Sequence, residues 1–588
     1  MSGALLERWQ AAWPEALTHW SKYTRLRSPL LCVTSVSAAK EGLSGSFAMI
    51  RLNDNSVVID LETIARVGLE DYAVEILAHE IGHHILAPAS AVDHFRLLAR
   101  MRKGLPTLEQ HAPMLANLYT DLLINDRLQR ISDLRMDEVY RQMKLYGERK
   151  QERGVKPASN TLWMLYVGIY ERLWQLEKGS LGGAVDNVVE EGNAWLGARL
   201  VRVYADEWLV GGARFAALAL PYLVDDIEQN RQMENLLADI KHAAQGCEPV
   251  GIIQIEEGEG EAIHPSDDPF ITGDAVGDGE DQIGHGNDAK SQGGGKGQLR
   301  EPFEYGEILK AAGVDLNEEQ LAGRYYRELA LPHLIAYPAK LSDAASEPQL
   351  EGFDPWDIGE PFDEIDWLGT LTQSPVPIPG TTIVKRHMGL QPGKDRARIP
   401  PDLDIYVDSS GSMPNPRQQI SYLTLAGAII ALSALKAGAQ VQATLWSGPR
   451  QCLSTNGFVR KENAILAVLT GYFGGSTSFP IHHMRDTYAA RKAHSPDAHI
   501  LMISDDGIST MFDNDERGNS GWDVTQAALD IAKGGGTMAL NLWTDIDKLP
   551  WSRKAIDGQG WDIHTVRDFA QLVDFSRAFA ARTYGGSG

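Results

Sequence analysis

The reading of this chain turns on DYAVEILAHEIGHHILA, residues 71–87, and within it on HEIGHH, His79 to His84. Val74, Ile76, Leu77, Ile81 and Ile85 recur among the histidines at helical spacing. Asp71 is placed to cap the start of such a helix and Pro88 to stop its end. On that helix His79 and His83 lie one turn apart on the same face, with Cβ atoms about 5–6 Å apart. Two imidazoles so placed can grip one zinc ion at about 2.0–2.1 Å each. Glu80 adjoins the first histidine, where a carboxylate can reach a water on the metal without being a ligand. H-E-x-x-H therefore offers two ligands and a general base, the catalytic kit of a zinc peptidase. At this chain's His and Glu content the pattern arises by chance in about 3% of sequences. The competing reading is a buried amphipathic helix with two core histidines.

A catalytic zinc usually takes three protein ligands. Downstream, LANLYTDLLINDRLQ (115–129) is again helical in period, with Asn117, Asp121 and Asn125 sharing one face of an otherwise apolar helix. Asp121 is the best charged ligand of the three. Asn117 and Asn125 suit hydrogen-bond support of the ligands. A merely solvated polar face is the alternative.

Together the HEIGHH helix and the N-x-x-x-D-x-x-x-N helix, over roughly residues 45–130, resemble the bacterial metal-dependent peptidase domain often fused to a C-terminal von Willebrand factor type A-like domain. The resemblance implies a mainly helical (α+β), zincin-like domain in which Asp121 is the third zinc ligand.

Bulk composition agrees with two or three soluble domains. The 588 residues are 43% hydrophobic and 23% charged. A net charge of −24 argues against nucleic acid or an anionic membrane as the main partner. Three scattered cysteines, Cys32, Cys247 and Cys452, form no disulfide framework and point to a reducing cytoplasm. The N-terminus lacks an apolar export segment, and no stretch is long enough to span a membrane.

In chain order, residues 4–27 predict an amphipathic helix with Leu5, Trp9, Trp13, Leu17 and Trp20 inward, and SFAMIR (46–51) with SVVIDL (56–61) predicts a hairpin. A strand just before the metal helix is a natural wall for an extended peptide. Residues 130–247 read as helical, completing a first domain over 1–250. Residues 254–298 hold eleven acids from Glu256 to Asp288 against Lys290 and Lys296, so 251–300 is expected to be an acidic, Gly-rich flexible linker. Over 301–400 a helix with a capping box at Asp315 and Glu318 and an acidic, aromatic extended wrap are expected.

Residues 401–588 alternate short apolar runs (403–408, 441–447, 499–505, 538–543, 561–566) with helical ones, which predicts an α/β doubly wound parallel sheet. Its first strand runs into DSSGS, where Asp408, Ser410 and Ser412 supply hard oxygen donors suited to magnesium or calcium. These features resemble the von Willebrand factor type A (VWA) domain and its metal-ion-dependent adhesion site, D-x-S-x-S. By that resemblance Thr477 of GGSTSF and Asp505 of ISDDG, with Asp506 as the alternative, complete a site for Mg²⁺ (or Ca²⁺ or Mn²⁺). The resemblance implies a partner-binding module whose partner is a MoxR-type AAA+ ATPase. The two halves then predict a cytoplasmic zinc metallopeptidase acting on a protein or peptide substrate. The rival reading is a non-catalytic adaptor of a AAA+ machine or metal-chelatase-like complex, with a structural zinc site.

Overall fold

The computed structural model describes residues 2–21, 25–43, 46–152, 161–182, 188–224, 247, 251–273, 298–341, 346–392, 398–492 and 495–582. The chain divides into two compact units, Met1–Leu321 and Ala322–Gly588.

The first unit is mainly helical. Helix α1 (Ser2–Thr18) buries Trp9 and Trp13, as the aromatic spacing predicts. Strands β1 (Leu30–Cys32), β2 (Ala48–Arg51) and β3 (Ser56–Asp60) form a sheet of order β1-β3-β2. β2 and β3 are the expected antiparallel hairpin. β1, too short to show a pattern, adds in parallel to β3. Asp60 caps the next helix, α2 (Leu61–Val67), by accepting from the Glu62 and Thr63 amides. Helix α3 (Ala73–Ile85) carries HEIGHH and packs Ile76, Leu77 and Ile81 into one core with Trp9, Ile50, Val57 and Ile59. Its N-cap is Tyr72, without a side-chain cap. The expected cap, Asp71, instead pairs with Arg8 at 2.6 Å. Helices α4 (Ala91–Lys103), α5 (Ala112–Ile131), α6 (Met136–Glu152), α7 (Thr161–Leu173), α8 (Val188–Val203) and α9 (Trp208–Val224) follow. The remainder of the long helix expected to reach residue 244 lies outside the described residues.

Residues 251–273 depart from the linker expectation, and the unit boundary at Leu321 falls beyond the expected domain end at 250. Glu259 is buried on Arg300 at 2.6 Å, Asp268 is buried on Arg214 and the Tyr204 hydroxyl, and Glu256 pairs with Arg96 and Arg100. The acids look uncompensated only locally; Arg96, Arg100 and Arg214 come from far back in the chain, and Arg300 from just past the acidic run. The Gly-rich remainder, 274–297, lies outside the described residues.

At the end of the first unit, Asn317 and Gln320 form the capping box near residue 318, each side chain accepting from the other's amide, where the sequence suggests Asp315 and Glu318. The expected wrap is a two-stranded antiparallel ribbon, β4 (Ser346–Pro355) with β5 (Val384–Pro392), carrying a short helix α10 (Trp367–Gln373) and a small core of Trp356, Ile365 and Ile383.

Beyond it lie β6 (Asp402–Asp408), α11 (Tyr422–Lys436), β7 (Val441–Trp446), β8 (Cys452–Ser454), α12 (Glu462–Leu469), α13 (Ile481–Ala490), β9 (Ala498–Asp505), α14 (Gly521–Ala532), β10 (Lys533–Asn541), β11 (Trp561–Thr565) and α15 (Phe569–Ala580). The sheet order is β8-β7-β6-β9-β10-β11. All neighbours are parallel except the edge pair β8–β7. The chain leaves β6 to β7 on one side and returns to β9 on the other. The C-terminal ends of β6 and β9 therefore flank a topological switch point, where open α/β sheets bind ligands.

Asp404, mid-strand in β6, is fully buried. Gln442 donates to its Oδ1 at 3.2 Å, and the Tyr488 and Tyr406 hydroxyls also act on the carboxyl, favouring its charged form. Burial pushes its carboxyl up to about 7. Protonated Asp404 is thus favoured in the fold, and the stability it contributes is full below about pH 4 and lost as pH rises through 7. Asp404→Asn, which cannot ionise, should gain more over the parent at pH 8 than at pH 5, by roughly 2–3 kcal/mol. Thermal melting of the full chain at both pH values checks this; an equal gain at both would contradict it.

Candidate metal centre

Three side chains meet in the first unit. One ligand atom from each of His79, His83 and Asp121 lies within 4.8 Å of the others, the one such group of His, Cys, Asp or Glu among the described residues. Asp121 Oδ1 is 3.6 Å from His79 Nε2 and 3.3 Å from His83 Nε2. Two atoms about 2.0–2.1 Å from one ion at the tetrahedral angle are about 3.3–3.4 Å apart, so these separations suit zinc. The imidazoles stand edge to face, with ring centroids 4.9 Å apart.

Backbone packing brings α5 to α3. A Cβ on Gly82 would sit 2.5 Å from Ile124 Cγ2 and 2.6 Å from Trp20 Cζ2. Only a residue without a side chain admits both neighbours, and Ile124 lies one turn beyond Asp121. The Trp20 indole also donates to the Ala78 carbonyl at 2.7 Å.

Both imidazoles are oriented from behind. His79 Nδ1 bonds Asn125 Oδ1 at 2.7 Å, and His83 Nδ1 bonds the Ala87 carbonyl at 3.0 Å. With Nδ1 donating, each ring turns its Nε2 lone pair toward Asp121. Asn125 is held in turn. Its amide nitrogen donates to the Tyr140 hydroxyl at 3.1 Å and the Tyr170 hydroxyl at 2.8 Å. Tyr166 closes a ring of three phenols, 2.8 Å from Tyr140 and 2.9 Å from Tyr170. Burial holds all three phenols well above their usual range, so they stay neutral. Asn117, expected in the same supporting role, is buried one turn before Asp121; the bond to His79 comes from Asn125.

Electrostatics favour neutral imidazole. Burial, and then the neighbouring His83, depress His79, opposed by Asp121 and Asn125. Asp121 Oδ1 is buried and has no hydrogen-bond donor among the described residues. An orphaned buried acceptor costs about 1–3 kcal/mol, more when charged, and a cation seated among the three side chains would satisfy it. The donor set, two nitrogens and one carboxylate oxygen, is that of a catalytic rather than a closed structural zinc site. Glu80 is buried on α3 between the histidines.

Sequence reading missed two features. Tyr166 and Tyr170 sit four apart on an apolar helix, and that pairing of hydroxyls was the available signal. His94 on α4 is buried, neither ring nitrogen has a hydrogen-bond partner among the described residues, and burial, with His83 close by, pushes it down to about 4. A cleft of about 540 Å³ lined by Arg8, Asp71, Glu75 and Arg135 lies at the N-terminal end of α3, and none of the triad lines it.

In the second unit the predicted oxygen donors gather at the switch point. Asp408 Oδ1 accepts from the Ser410 amide at 2.8 Å, and Oδ2 from the Ser504 hydroxyl at 2.6 Å. Ser410 Oγ is 3.1 Å from Ser412 Oγ, which donates to Asp505 Oδ2. Gly507 brings the Thr477 loop in. A Cβ there would lie 2.5 Å from Thr477 Cγ2 and 2.9 Å from Asp505 Oδ1. Of the two alternatives, Asp505 is the one bonded to the D-x-S-x-S loop. Burial, with Asp505 among the lesser causes, raises the Asp408 carboxyl. Two facing carboxylates bridged by hydroxyls fit a hard divalent cation.

No family model matches this chain, and no curated protein does. Among solved structures, a von Willebrand factor type A protein from Catenulispora acidiphila is similar, with 15% identity over 32% of this chain and 43% of that one, at a TM-score of 0.21. The chain thus spans less than half the length of that structure. A likeness so slight carries no weight here, and the fold of the second unit rests on its own strand order.

Asn125→Ala should weaken zinc affinity of the full chain about 10–100-fold, while Asn117→Ala leaves it nearly unchanged. Competition against a chromophoric chelator measures both; an equal fall in the two variants would contradict the role given to Asn125.

Proposed function

We propose that the protein is a zinc-dependent peptidase joined to a VWA-type module that recruits a partner through a magnesium-dependent contact. The observation that carries the first half is Asp121 Oδ1, without a hydrogen-bond donor among the described residues, facing two imidazoles whose other nitrogens are already engaged. His79, His83 and Asp121 hold the metal in this reading, in a zincin-like domain. Zinc bound there supplies Lewis-acid chemistry, polarising a substrate carbonyl and acidifying a water. Glu80 takes the proton of the attacking water and returns it to the leaving amine. Asn125, braced by the three phenols, keeps His79 in its ligating tautomer. β2, the edge strand of its sheet, packs in the same core as α3 and suits an extended peptide added as a further strand.

For the second unit, Asp408, Ser410, Ser412, Thr477 and Asp505 hold Mg²⁺ in this reading, and an acidic side chain of the partner completes its coordination. The partner class we propose is a MoxR-type AAA+ ATPase. Three free thiols fit a reducing cytoplasm, and among the described residues no helix is long and apolar enough to cross a membrane. The second reading, an adaptor with a structural zinc, draws on the same switch-point site and needs no hydrolysis.

Glu80→Gln should retain one zinc per chain and cleave fluorescein-labelled casein at least ~10²-fold more slowly than the zinc-loaded parent. Equal rates would remove Glu80 from the mechanism. A zinc-loaded parent that leaves casein intact would favour the adaptor.

A further inference from the structure

The ribbon module between the two predicted metal sites holds a disproportionate share of the exposed apolar surface. Of the twenty-nine large apolar side chains exposed among the described residues, ten lie between Leu350 and Met388. Single exposed apolar side chains are ordinary, whereas a cluster on one small module marks an interaction surface. The module's core of Trp356, Ile365 and Ile383 is too small to cover them. Phe353 lies against α10 where Gly369 leaves room; a Cβ there would be 2.8 Å from its ring. The Phe362 ring sits 5.3 Å from Trp356. Ile358 and Phe362 are 80% and 76% exposed, and α10 leaves Trp367, Leu368 and Leu371 in solvent.

The module is acidic. Residues 346–392 hold eight Asp and Glu against Lys385 and Arg386. Both cations are already engaged, Lys385 by Glu360 at 2.6 Å and Arg386 by Asp366 at 2.5 Å. Asp357, Asp363 and Glu364 are exposed and make no ion pair among the described residues. A second copy of this chain, at −24 net, would bring acid to acid, and anionic lipid or nucleic acid would be repelled. Charge complementarity therefore selects a different, basic protein.

We propose that the exposed apolar side chains of this module, Phe353, Ile358, Phe362, Trp367, Leu368 and Leu371, with the exposed acids Asp357, Asp363 and Glu364 interspersed among them in the chain, dock a segment of another protein in which large apolar side chains are interleaved with lysine and arginine. The contact is separate from the oxygen-lined site at Asp408 and does not depend on a metal there.

The test uses the full chain and a fluorescein-labelled amphipathic peptide of ~18 residues, leucine on one helical face and lysine on the other, with a leucine/glutamate peptide as control. Anisotropy should show the lysine peptide binding. The affinity should fall roughly tenfold or more in Leu368→Asp/Leu371→Asp and several-fold in Asp363→Asn/Glu364→Gln. Hydrogen exchange should slow over residues 353–371 on binding, and chelation of divalent cations should change none of this. Equal affinity in both variants, protection elsewhere, or equal binding of the glutamate peptide would overturn the proposal. So would a dimer in sedimentation that Leu368→Asp/Leu371→Asp dissolves, which would assign the face to a second copy. The substituted side chains are exposed, so an unchanged circular dichroism spectrum is expected.

Discussion

The close approach of α5 to α3 at Gly82 is the constraint on which the first unit depends. Where Ile124 and Trp20 fill the space a side chain would need, α5 delivers Asp121 to both histidines and Asn125 to the back of His79. A larger residue at 82 would have to push one of the two aside. The ligand pair is a local matter, set by one helical turn. The third ligand and its support are a packing matter, and Gly82 couples the two.

The division between local and packing effects explains what the sequence made legible. His79, Glu80 and His83 are readable because an i, i+4 pair needs only one helix. Asp121 is readable because a polar stripe interrupts an apolar helix. Choosing between Asn117 and Asn125 required the three phenols behind Asn125, which arrive from α6 and α7. In the second unit the alternation of short apolar runs and helices placed the five central and far-edge strands within a few residues, whereas β8, three residues long and half exposed, left no pattern. The acids of 251–273 misled because charge counted along a window cannot see Arg96, Arg100, Arg214 and Arg300. Likewise the aromatic, acidic stretch before β6 showed no regular period, since its ribbon pairs strands nearly thirty residues apart.

The two sites solve one electrostatic problem in different ways. Around Asp121 the donors are nitrogen and a single carboxylate, deep in a helical core, with neutral hydroxyls and an amide behind them. At Asp408 the donors are oxygen alone, at the mouth of a parallel sheet, with two acids kept apart by serine hydroxyls. The first set prefers a borderline-soft ion held inside the protein. The second set suits a hard ion at a surface.

The central claim is that His79, His83 and Asp121 bind one zinc and leave one coordination position open. Zinc K-edge X-ray absorption on the full chain with one equivalent of zinc tests it most directly. The account predicts two imidazole nitrogens at about 2.0–2.1 Å and two oxygens at about 2.0–2.2 Å, one of them lost or replaced in Asp121→Ala. A first shell without the imidazole pair, or a spectrum that Asp121→Ala leaves unchanged, would contradict it.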